Sequence, residues 1–228
     1  MGKQPPPRRI RSFVRREGRI TKAQQRALDD LLPRYGIAPD KPIDFVHEFG
    51  RDASCILEIG FGNGEVLAQL AQRHPDNNYL GIEVHRPGVG SFLNAVEALG
   101  LENVRVICAD AAEVLGQQVP DASLDALLLL FPDPWHKKRH HKRRLVQPAF
   151  AQLVRRKLKF GGRFHMATDW EDYAEHAMQV LSVAPGFRNI ASAGGFAAPP
   201  DWRTETKFER RGRRLGHGVR DLIFERVE

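Results

Sequence analysis

Glu58-Ile59-Gly60-Phe61-Gly62-Asn63-Gly64 places three glycines at alternate positions directly after an apolar run, with a carboxylate at its head. Glycine has no Cβ to forbid positive φ, so such a loop turns tightly and lets backbone approach a flat ligand beside the N-terminus of the next helix. A dinucleotide fingerprint puts its third small residue five positions after the first, where this chain has Glu65, and NAD is therefore disfavoured. Two further acids stand where later apolar runs end: Glu83, suited to accept both hydroxyl protons of a ribose, and Asp110, suited to take an adenine amino group. S-adenosylmethionine has a ribose, an adenine, an ammonium and a sulfonium but no phosphate, so it calls for carboxylates and no phosphate-binding lysine. Taken singly, the glycine loop also fits a plain strand-to-helix turn, and each acid fits a helix cap or a solvated loop. Their coincidence at three successive strand ends favours the cofactor.

A second group follows the fourth apolar run, in Leu130-Phe131-Pro132-Asp133-Pro134-Trp135-His136. Two prolines with fixed φ enclose Asp133 and hold its carboxylate over the cleft, the plainer alternative being a rigid turn. Trp135 is either a platform on which a base stacks or an anchor in the core. The turn resembles the Asn/Asp-Pro-Pro-aromatic motif of class I methyltransferases that act on ring or exocyclic nitrogens. Behind it, His136-Lys137-Lys138-Arg139-His140-His141-Lys142-Arg143-Arg144 contains six Lys or Arg, three His and no acid. A strip of that density beside a reaction cleft attracts phosphate with salt-dependent affinity, which points to RNA. Its histidines lack thiol or carboxylate partners at metal-ligand spacing, so no metal site is expected. Nearer the C-terminus, Arg203-Thr204-Glu205-Thr206-Lys207-Phe208-Glu209 precedes Arg210, Arg211, Arg213 and Arg214. Glu209 can accept from the N1 and exocyclic amino protons of guanine, with the Thr206 hydroxyl beside it; a surface loop without a role is the alternative.

The elements that must hold these groups follow from periodicity. Strands are predicted over Ser54–Ile59, Tyr79–Val84, Val104–Cys108, Leu124–Phe131 and Gly162–Ala167, alternating with helices over Glu65–Gln72, Gly90–Leu99, Ala111–Leu115, Arg144–Leu158 and Trp170–Val183. That alternation implies right-handed crossovers and an α/β fold, a mainly parallel sheet with helices on both faces. Val219–Phe224 reads as an added strand, a candidate antiparallel edge. Ligands of such sheets bind beyond the C-terminal strand ends, where Glu58, Glu83, Asp110 and Asp133 fall.

The chain has 228 residues, 42% of them hydrophobic, enough for the core of one domain, expected over residues 21–228. Thirty-five Lys and Arg against 28 Asp and Glu leave a net charge of +7, which favours an anionic partner. Cys55 and Cys108 are far apart and suggest neither a disulfide framework nor zinc, so a cytoplasmic location is expected. No apolar stretch is long enough to span a bilayer, so no membrane partner is expected. Residues 1–20 carry seven basic side chains, one acid and three consecutive prolines and cannot fold alone. They form a flexible basic arm, either a solubilising tail or a grip on RNA, and the prolines argue against a mitochondrial leader.

Together EIGFGNG, GIEVH, FPDPWHKKRHHKRR, ATDW and TKFE resemble, in this order and over residues 54–224, the tRNA (guanine-N7-)-methyltransferase family. The resemblance implies a Rossmann-like class I methyltransferase fold with a seven-stranded sheet, and formation of 7-methylguanosine at position 46 of the tRNA variable loop. It implies S-adenosylmethionine contacts at Glu58, Gly60, Gly62, Gly64, Glu83, Asp110 and Asp133. It further implies substrate contacts at Lys137, Asp169, Thr206, Lys207, Phe208 and Glu209, with Arg139, His140, His141, Lys142, Arg143 and Arg144 along the RNA. Guanine N7 already carries an in-plane lone pair, so no strong base is required; Asp133 is expected to act catalytically by favouring the positive charge that develops on the purine. The rival expectations are a methyltransferase of another target and a non-catalytic RNA-binding protein. Monomer and homodimer are equally compatible with the sequence.

Overall fold

Leu127 and Leu129 point to one face of their strand and Leu128 and Leu130 to the other, and all four are buried. A strand that is apolar on both faces belongs inside a helix-covered parallel sheet, and that is its setting. The computed structural model describes residue 13 and residues 18–38, 41–191, 194–203, 209 and 218–228. The strands are β1 (Cys55–Ile59), β2 (Asn78–Ile82), β3 (Val104–Ile107), β4 (Leu124–Leu130), β5 (Leu158–Thr168), β6 (Phe187–Asn189) and β7 (Arg220–Arg226). They form one sheet in the order β3-β2-β1-β4-β5-β7-β6. The first five are parallel, and β7 runs antiparallel to both β5 and β6. Strand order reverses between β1 and β4, the place where open sheets of this kind form their ligand crevice at the C-terminal rim.

Helices α1 (Lys22–Asp30), α4 (Glu65–Arg73) and α5 (Arg86–Leu99) cover one face around Leu67, Phe92 and Leu128. The opposite face carries α6 (Ala111–Gln117), α7 (Pro148–Lys157) and α8 (Glu171–Ser182) around Leu57, Phe164 and Tyr173. Two short helices, α2 (Leu32–Tyr35) and α3 (Phe45–Phe49), complete the N-terminal part. α1 begins in a capping box in which Thr21 and Gln24 bond each other's backbone N–H. It is held to α5 by Gln24 on Ser91 (2.9 Å) and Arg26 on Glu97 (2.6 Å).

Several expectations need correction. β7 is no edge: it lies between β5 and β6, and the three-residue β6, too short to show a period, takes the edge. The helix expected from Arg144 begins at Pro148, since proline suits a first turn while the basic residues before it wind into a 3-10 turn, Lys138–Arg143. The helix expected from Gly90 begins at Arg86, with Pro87 in its first turn. β5 starts four residues earlier than expected, at Leu158. The predicted elements begin at Ser54, and α1, α2 and α3 precede them.

Candidate active site

Gly60, Gly62 and Gly64 follow β1 with φ of 71°, 59° and 78°, left-handed values that a side chain rarely tolerates. A Cβ at Gly60 or Gly62 would meet nothing within 4 Å, so the loop borders open space, whereas one at Gly64 would strike the Phe92 ring. Glu83, just after β2, fastens this loop. Its carboxylate accepts from the N–H groups of Gly62 (2.9 Å), Val84 (2.7 Å) and His85 (2.9 Å). Three donors from backbone order the loop and fix the carboxylate at the crevice. Asp110 lies after β3 and caps α6 by accepting from Ala112 N–H at 3.0 Å.

Glu58 is different. It is 3% exposed, and its Oε2 has no hydrogen-bond partner among the described residues. Burial, followed by the nearby negative charge of Glu83, pushes its carboxyl up to about 8. A buried acid without a partner is costly, and a cationic ligand portion would relieve that cost. Glycines bordering open space, an unsatisfied buried carboxyl, and carboxylates at successive strand ends fit an uncharged ribose and adenine joined to a cationic amino-acid portion. The chain enters the domain beside this end: a Cβ at Gly18 would lie 3.1 Å from His85 Nε2.

Across the crevice, Phe131 and Trp135 bracket Asp133 with φ of 51° and 50°. Such values are rare for bulky residues and cost about 1–3 kcal/mol each, and strain of this kind gathers where a group must be held in place. Asp133 is exposed and accepts from Trp135 N–H at 3.0 Å. Trp135 itself is buried, with the Arg143 guanidinium 4.7 Å above its ring and the His140 ring edge-on at 5.8 Å. Of its two expected roles the anchor is realised, since the indole supports the basic strip. Lys137, Lys138, Arg139 and Lys142 are exposed; His140, His141 and Arg143 are partly buried. Desolvation, and then the surrounding Arg139, Arg143, Lys137 and Lys142 charges, hold the His140 imidazole below its ordinary value.

Arg144 must be taken out of the RNA-facing set. Its side chain is 1% exposed, donates to Pro134 O (3.0 Å), pairs with the Asp172 carboxylate and lies over the Tyr173 ring. A guanidinium so enclosed braces the Asp133 turn from below and presents nothing to a phosphate. The Arg144 hydrogen bond is also the main cause holding Asp172 below its usual range.

Asp169 is partly buried at the end of β5, next to Trp170, whose ring centroid lies 4.2 Å from that of His136. That contact links the segments after β4 and β5, and no spacing in the sequence announces it. Glu209 is 1% exposed and paired with Arg203. Thr206, Lys207 and Phe208 lie outside the described residues. The sequence gives Arg203 no role of its own and does not announce Asp221 or His165, which extend the contacts from Glu209 through Arg203, because both lie far from it along the chain. Among the described residues no group of three or more His, Cys, Asp or Glu is arranged to hold a metal, and no helix is long and apolar enough to cross a membrane.

The chain matches a family model described as "Putative methyltransferase" over residues 52–222. It is 59% identical over 222 residues to a tRNA (guanine-N(7)-)-methyltransferase of Aeromonas hydrophila, covering 96% of this chain and 93% of the relative. A protein of the same name from Pseudomonas aeruginosa is 59% identical over 224 residues, covering 98% and 92%. Among solved structures, the 16S rRNA methyltransferase KamB superposes with a TM-score of 0.58 at 18% identity, over 83% of this chain and 96% of that one, which supports the class I methyltransferase fold.

Proposed function

The chain belongs to the tRNA (guanine-N(7)-)-methyltransferase family, and we propose that it transfers a methyl group from S-adenosylmethionine to guanine N7 at position 46 of the tRNA variable loop. The observation that carries this reading is the set of groups at the C-terminal ends of the strands where the order reverses: Glu58, whose Oε2 has no partner among the described residues, and the loop-fastening Glu83 on the β1–β2 side, with Asp133 and an exposed cationic strip after β4. When bound, S-adenosylmethionine supplies a methyl group activated by the sulfonium. Gly60, Gly62 and Gly64 shape its seat, Glu58 faces its cationic portion, Glu83 takes the ribose hydroxyls, and Asp110 takes the adenine amino group.

Lys137, Asp169, Thr206, Lys207, Phe208 and Glu209 hold the target guanine, and Arg139, His140, His141, Lys142 and Arg143 follow the RNA backbone. Because N7 attacks through a lone pair it already has, Asp133 need not remove a proton. Its carboxylate, fixed by Trp135 N–H, stabilises the cationic purine as it forms. Incubation with unmodified tRNA and methyl-labelled S-adenosylmethionine, followed by chain cleavage at 7-methylguanosine, tests the assignment. A single cut in the variable loop is expected; label on another base or elsewhere in the tRNA would refute it.

A further inference from the structure

Four ionisable side chains form a continuous line of contacts inside the domain, from His165 through Asp221 and Arg203 to Glu209. His165 on β5 approaches Asp221 on β7, with Nε2 2.7 Å from Oδ1. Asp221 accepts a hydrogen bond from Arg203 Nη2 on Oδ2 (3.2 Å) and forms an ion pair with Nε, 2.9 Å from Oδ1 but not in hydrogen-bonding geometry. The far side of that guanidinium forks onto Glu209, Nη1 at 2.5 Å and Nη2 at 3.3 Å. Every one of the four side chains is buried, and the Trp202 ring closes edge-on over His165 at 5.2 Å. Register fixes where this sits: Asp221 pairs with Ala167 of β5, two residues before Asp169, so the network occupies the same rim of the sheet as the proposed substrate side.

Buried ionic clusters seldom stabilise a fold more than apolar residues of the same volume would, and they hold geometry only when every partner is present. A planar guanidinium with carboxylates on two edges fixes both directions at once, which a lysine cannot do. The Arg203–Glu209 pair is tied through Asp221 to β7.

We propose that Arg203 is a positioning residue for the target guanine: oriented by Asp221, which His165 contacts in turn, it sets Glu209 at the reaction rim. This rests on the reading that Glu209 contacts the substrate. Arg203 acts through Glu209 and touches neither substrate nor cofactor.

The test is a double-mutant cycle with Arg203→Met, Glu209→Gln and the pair, reading kcat and KM for tRNA, S-adenosylmethionine affinity by calorimetry, and the unfolding midpoint. Each single change is expected to lower kcat/KM for tRNA by about tenfold or more while cofactor affinity holds within about twofold, and the double variant should be no worse than the poorer single one. Arg203→Lys should recover only part of the loss. Multiplied losses in the double variant, or unchanged kinetics in Arg203→Met, would overturn the proposal; so would a parallel fall in cofactor affinity and folding, which marks a merely structural residue. Unchanged kinetics in Glu209→Gln would instead remove the substrate role of Glu209 itself. If Arg203→Met does not fold, Asp221→Asn replaces it in the cycle under the same criteria.

Discussion

Glu58 and Lys137 belong to opposite ends of one crevice and use charge under opposite conditions. Glu58 is enclosed, one oxygen lacks a partner, and its proton is held to about pH 8. Lys137, like Lys138, Arg139 and Lys142, stands in water. A charge out of water acts strongly but only on a ligand that fits, whereas an exposed one acts weakly at contact, reaches about 8–10 Å through salt, and tolerates many geometries. The first arrangement suits a small cofactor of fixed shape and the second a long polyanion that must be collected before it is aligned. Asp133 stands between these regimes, exposed yet held by strained backbone and by the Trp135 N–H.

The largest effect is expected at that intermediate position. Asp133→Asn keeps an acceptor for Trp135 N–H but removes the charge, and kcat should fall about 100-fold with tRNA affinity nearly intact. Equal loss of binding and rate would make Asp133 a mere anchor and move it to the cationic side of the comparison.

Glu58 follows. Binding of a cation requires its carboxylate form, so cofactor affinity should weaken as pH falls below about 8, by at most about tenfold per unit, and Glu58→Gln should flatten that dependence while lowering affinity. Stability moves the other way. The folded carboxyl titrates near 8 and the ordinary one at 4.5, so between those values the folded state keeps a proton that the unfolded chain has released. Stability of the cofactor-free protein therefore declines as pH rises from 4.5 to about 8 and then levels off. At pH 9 Glu58→Gln should be the more stable protein, by about 2–5 kcal/mol, and at pH 4 the two should agree. Coincident unfolding midpoints at both pH values would show that this acid is not desolvated.

The smallest effects separate the two kinds of basic residue. Lys137→Gln and Lys142→Gln should each reduce the slope of log affinity against log salt by about 0.7–0.9. Arg144→Gln should leave the slope unchanged and cost about 1–3 kcal/mol in unfolding. A slope change in Arg144→Gln would return that residue to the RNA surface.

What could be read from the chain was local. The glycine loop, the acids at successive strand ends and strands β1 to β5 are each set by neighbours within a few residues, through φ preferences and short continuous apolar runs. The capping of α6 by Asp110 was among the readings open from the start. The edge position of β6, the interior place of β7 and the early helices were less legible, because short elements carry little periodicity and are fixed by the partners they find.

The sequence by itself determined the α/β alternation, the acidic strand ends, the rigid Pro132-Asp133-Pro134 turn and the cationic run behind it. Tertiary structure decided what each charge does. It turned Glu83 onto three backbone N–H groups, left Glu58 Oε2 without a hydrogen-bond partner among the described residues, drew Arg144 onto Asp172, and buried Glu209 against Arg203, which pairs with Asp221. The cause is that ionic partners and desolvation are set by distance in space; Arg203 and Asp221 meet across 18 residues of chain and His165 and Asp221 across 56.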